Sequence, residues 1–124
     1  MLIYITNRQL PKLNVGKKTK VSVSKIGQKL NRSKPGGYER ISIGLASKDY
    51  KSISFYPHGD EAKLFQTTDS AEYKKPWLVF MHGFHQDPQE TIGKARLLEK
   101  IHQVNVVLFA WPSHPNPVES FNTD

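Results

Sequence analysis

Apolar residues fall into two kinds of run along this chain. Trp77–Met81 (WLVFM) is an unbroken apolar stretch with several β-favouring residues, too short for a comfortable helix, and Val104–Trp111 (VNVVLFAW) nearly matches it. Both read as strands covered on two faces, and Leu2–Thr6 reads as a first strand closed by Asn7-Arg8. Arg40–Ala46 (RISIGLA) and Ser52–Tyr56 (SISFY) alternate, or nearly so, between apolar and polar positions. Their separation by SKDYK predicts an antiparallel pair joined by a turn of about five residues. Val21, Val23 and Ile26 alternate in the manner of a half-exposed strand. Pro57-His58-Gly59-Asp60 is a turn by composition, and Gln66–Lys75 is a polar connector.

Between Trp77–Met81 and Val104–Trp111 the apolar period becomes helical. Asp87 stands at the N-cap, Pro88 at the first helical position and Glu90 at the third, an Asp-led form of the capping box. Ile92, Ala95, Leu98 and Ile101, with Leu97 beside them, form a stripe expected to pack on a sheet, while Lys94, Arg96 and Glu99 point away. A strand, a helix and a strand of this length predict a right-handed parallel crossover, ended by prolines at 112, 115 and 117. The fold class expected is α/β: antiparallel leading strands followed by a parallel βαβ unit.

A chain of 124 residues is expected to form one domain, 1–124, around one core. It has no apolar run of eighteen residues, and Met1–Ile5 leads into Thr6-Asn7-Arg8 without a basic leader, so a cytoplasmic location is the expectation. The absence of cysteine removes thiolate catalysis, disulfides and cysteine-ligated metals.

Charge adds an asymmetry. Residues 1–38 hold nine basic side chains and no Asp or Glu, whereas the remainder holds nine basic and eleven acidic ones, so the excess in the net charge of +7 is N-terminal. The basic segment 9–38, punctuated by Pro11, Gly16, Gly27 and Pro35-Gly36-Gly37, is expected to be mobile in part. It reads first as a solvated face and second as a patch for phosphate, nucleic acid or anionic lipid head groups. Nucleic acid is disfavoured because Tyr4 and Tyr38 are the only aromatics in that third of the chain, too few for a stacking platform. Gly16-Lys17-Lys18-Thr19 also lacks the upstream glycine of a phosphate-binding loop.

A strand ending in His82-Gly83-Phe84, then a polar loop, a helix and a second strand ending in Ala110-Trp111-Pro112-Ser113 resembles the front half of an α/β-hydrolase domain. The match is to the bacterial DUF900 group of predicted serine hydrolases. It covers Pro76–Ser113, with a fainter likeness at Met1–Arg8, where Thr6-Asn7-Arg8 is similar to the start of those proteins. The resemblance implies a partial α/β-hydrolase-like sheet in an incomplete three-layer architecture, and an esterase- or lipase-like activity. It implies that the Phe84 backbone N–H is an oxyanion donor and that His82 and Gly83 shape its loop. No G-x-S-x-G occurs in the 124 residues, and the elbow, acid and histidine of a triad belong further along than Asp124. The chain is therefore expected to be the N-terminal part of a hydrolase and not a complete enzyme.

Other residues offer no substitute. Ser113 beside His114 reads as a turn residue, and His58 and His102 as surface or turn residues. His82, His85 and His114 could be drawn as a zinc site, but the dense His/Asp pattern of metallo-hydrolases is lacking. No metal and no cofactor is expected. The alternative function is a non-catalytic α/β module that binds a protein partner or nucleic acid through an open sheet edge or the basic segment. In either case Trp77–Met81 lacks one neighbour of the hydrolase topology, so self-association or a partner chain across that edge is expected, with an acyl-ester or lipid substrate if the site is completed.

Overall fold

Leu2–Thr6 (β1) is the strand to which both halves of the sheet attach. The computed structural model describes residues 1–27, 41–67, 74–81 and 87–111. Within them the remaining strands are β2 (Thr19–Ser22), β3 (Ser42–Ala46), β4 (Ser52–Phe55), β5 (Trp77–Met81) and β6 (Asn105–Ala110). The helices are α1 (Ala62–Thr67) and α2 (Pro88–His102), and a single 3-10 turn spans Val23–Lys25. The six strands form one sheet in the order β2-β4-β3-β1-β6-β5. β1 runs antiparallel to β3 and parallel to β6, β6 is parallel to β5, and β4 is antiparallel to both β2 and β3. The chain is thus a mixed α/β fold, with an antiparallel group of strands on one side of β1, in which only β3 and β4 are sequential neighbours, and a parallel βαβ unit on the other.

Alternation along β1 divides the core. Leu2 and Tyr4 face α2 and join Val21, Val23, Ile53, Phe55, Ile92, Ala95, Val106 and Leu108 in the larger cluster. Ile3 faces the opposite side, where Tyr56 and Leu64 of the short α1 cover it. Tyr4, Gly44 and Phe55 lie in one cross-strand row, Tyr4 opposite Gly44 and Gly44 opposite Phe55. The absent side chain at Gly44 lets the two rings meet edge-on, with centroids 6.2 Å apart and planes at 71°.

α2 begins as its cap sequence predicts: the Asp87 carboxylate accepts from the Glu90 N–H at 2.8 Å. Its apolar stripe is used only in part. Ile92 and Ala95 are buried, whereas Leu97 and Ile101 are exposed. Glu99, expected to point away, turns inward and accepts from the Met1 ammonium at 2.8 Å, with Asn105 Oδ1 a second acceptor at 3.1 Å. On the other flank the Arg96 guanidinium lies 4.9 Å from the Tyr50 ring centre, so α2 leans toward the β3–β4 turn. The expected strand through Val21, Val23 and Ile26 ends at Ser22, and Val23 starts a 3-10 turn closed by the Ile26 N–H donating to Val23 O, while its own N–H donates to Lys51 O.

β5 departs most from its sequence expectation. Among the described strands it pairs with β6 alone, which is the open edge expected for it, but it is not covered on two faces. Leu78 and Phe80 are half-buried on the α2 side, but Trp77 is 39 % exposed and Val79 and Met81 are 59 % exposed each.

Gly44→Ala should lose about 2 kcal/mol in urea unfolding, because the new Cβ would lie 2.6 Å from Ile53 Cγ2 and 2.7 Å from Ser54 O. An unchanged unfolding midpoint would show that the row is not tightly packed.

Candidate functional site

The parallel strands create one chemically distinct end of the molecule. Because β1, β5 and β6 run the same way, Thr6, Met81 and Ala110 end on one rim of the sheet. The antiparallel pairings place the starts of β2 and β3 and the end of β4 on that same rim. The chain leaves β1 toward β2 on one side, while β5 and β6 occupy the other. In open α/β sheets such a divergence at the carboxyl ends of strands is where ligands bind.

Thr6 and Arg8 build the floor of this rim. Thr6 Oγ1 donates to Ala110 O at 2.6 Å and accepts from the Arg8 N–H at 3.0 Å, so one hydroxyl fastens the ends of β1 and β6 to the turn that follows. Arg8 is only 1 % exposed, and its Nη1 donates to Gly27 O at 3.2 Å. Burial pulls its pKa below the ordinary arginine value, against the influence of Tyr4 and Asp87. Burial pushes the Tyr4 phenol up to about 12, opposed by the Arg8 charge. Asp87 heads α2, and its backbone carbonyl accepts from both the N–H and the hydroxyl of Thr91. The start of α2, capped by Asp87, and a buried guanidinium therefore lie at the end of the sheet where Met81 leads into the loop before α2.

The loop itself, with His82, Gly83 and Phe84, lies outside the described residues, as do His85, Ser113 and His114. His102 is exposed at the far end of α2, away from the rim. His58 stands on the rim, and its Nε2 lies 3.3 Å from Ser42 Oγ. That Ser–His pair is not a nucleophile and base, because Ser42 is 1 % exposed and paired across the sheet with Thr6. It ties the turn after β4 to the start of β3. Arg8 is the residue that charge counting alone concealed, since it falls in a run of solvated lysines. Its position two residues beyond an apolar strand was the available signal.

Comparison with protein-family models, with curated proteins and with solved structures yields no match to this chain.

The buried phenol makes stability depend on alkaline pH. Its folded pKa lies above the ordinary tyrosine value near 10, so the stabilisation is fully present below about pH 10 and is lost as pH rises toward 12, by roughly 2–3 kcal/mol. Urea unfolding between pH 9 and 12 should show this loss, and Tyr4→Phe should flatten it relative to the parent.

Proposed function

We propose that the chain is the N-terminal part of a serine hydrolase of esterase or lipase type, supplying the oxyanion loop His82-Gly83-Phe84 while the triad lies on sequence beyond these residues. The observation that carries this reading is the edge strand β5. It is apolar on both faces, parallel to β6, and ends at the rim where Arg8 and the start of α2 lie. A further parallel strand would pair the open edge of β5, a helix joined to it would cover Trp77, Val79 and Met81, and the strand would deliver its own carboxyl end, and a nucleophile there, to the same rim. The substrate class, a carboxylic ester or related acyl compound including lipid esters, follows from the resemblance of the HGF and WPS strand ends.

A second reading rests on the same exposure. The open edge would then be a docking strand for a protein partner, and no chemistry would follow.

The test uses the protein as its native host makes it. A fluorophosphonate probe should label a serine on the same species, and Phe84→Pro, which removes the donating N–H, should lower ester turnover about a hundredfold to a thousandfold. A native species with neither labelling nor turnover would favour the docking module.

A further inference from the structure

We propose that the loop between β1 and β2 is a docking surface for an anionic lipid bilayer, and that it turns the carboxyl rim toward the membrane. The loop is built, not loose. Asn14 N–H donates to Thr19 Oγ1 at 2.6 Å, Gly16 supplies the positive φ of +74° that closes the turn, and Leu10 and Leu13 pack inward on the main core. At its apex Val15 is 93 % exposed. Lys12, Lys17, Lys18 and Lys20 flank that apex along the chain and are all exposed. Lys18 extends over the face of Tyr56, its Nζ 5.3 Å from the ring centre.

An exposed apolar tip on a loop that carries exposed lysines on both sides of it suits a membrane surface, with acyl chains below and anionic head groups around. The neighbouring acids are engaged elsewhere: Asp60 pairs with Lys63 at 3.4 Å, and Glu61 accepts from the Gly59 N–H at 2.9 Å. Nucleic acid fits less well, because the one ring among these lysines, Tyr56, is buried and offers no stacking face. A phosphate backbone would also leave Val15 in water.

The loop leaves β1 directly after Arg8 and returns at the start of β2, both on the carboxyl rim. A pocket of about 340 Å³ lies between it and Pro57-His58. Docking through Val15 would therefore set the rim against lipid, where a lipid ester would be met. Binding is read without turnover, so this inference and the hydrolase reading fail separately.

Vesicle flotation of the full chain tests it, with phosphatidylcholine vesicles lacking or containing phosphatidylserine. Binding is expected to the anionic vesicles only. Lys17→Gln with Lys18→Gln should weaken it about 25-fold, roughly fivefold per lysine. Val15→Asp should weaken it about tenfold, and Val15→Ile should retain it. Both sites are exposed, so unchanged urea midpoints should accompany these losses. Equal binding to neutral vesicles, no binding to either kind, or full binding by Val15→Asp would overturn the proposal. So would tighter binding to a single-stranded oligonucleotide than to the anionic vesicles.

Discussion

The pairing of β1 with β6 is the constraint on which the rest of the structure depends. It joins residues 2–6 to residues 106–110 in parallel register, and only through it do the antiparallel strands share a sheet with the βαβ unit. Both ends of the pairing are fastened. At the start of the two strands the Met1 ammonium lies between Glu99 of α2 and Asn105 of β6. At their carboxyl ends Thr6 bridges to Ala110, and Arg8 is sealed beneath the loop that follows. The rim is thus organised by contacts between residues about a hundred positions apart, which is costly in loop entropy and is offset by burial of Leu2, Tyr4, Val106 and Leu108 around the junction.

From that junction outward, cover over the sheet is uneven. α2 and the 3-10 turn close the face that carries Tyr4 and Phe55, whereas on the opposite face the short α1 shields Ile3 and Tyr56 and leaves β5 open. Edges of this kind are normally charged, bulged or paired, because free N–H and C=O groups beside apolar side chains invite further strands. Among the described residues β5 has none of these protections at Trp77, Val79 and Met81, and the exposed Leu97 and Ile101 of α2 add more unburied apolar surface. The proposed hydrolase reading accounts for this through one missing strand, and it places that strand where its carboxyl end would meet Arg8 and the start of α2.

Much of the architecture could be read from local pattern, and the exceptions share a cause. Apolar runs placed β1, β5 and β6, alternation placed β3 and β4, and the Asp-Pro-x-Glu cap placed the start of α2. These are signals carried by neighbouring residues. Val23 continues the alternation from Val21 but starts a tight turn whose first N–H is claimed by Lys51 on a distant hairpin. Glu99 looks solvent-facing on the helical wheel and is drawn inward by an ammonium contributed by the other end of the chain. α1 is too short to show a period, and Leu64, which packs on Ile3 and Tyr56, stands in a stretch with no repeat of apolar positions to announce it. Arg8 is read as part of a solvated charge run, yet the fold buries it with its Nη1 on Gly27 O. For the candidate site, pattern located the rim through the strand ends but did not indicate its buried cation, and His82, Gly83 and Phe84 themselves lie outside the described residues.

The central claim is that β5 is an edge built to be covered. The most direct test is the intact mass and solution size of the species made by the native host, by mass spectrometry with light scattering. The account predicts a particle substantially heavier than 14.2 kDa, either one longer chain carrying the added strand or an assembly that buries Trp77, Val79 and Met81. A well-behaved monomer of 14.2 kDa would contradict it.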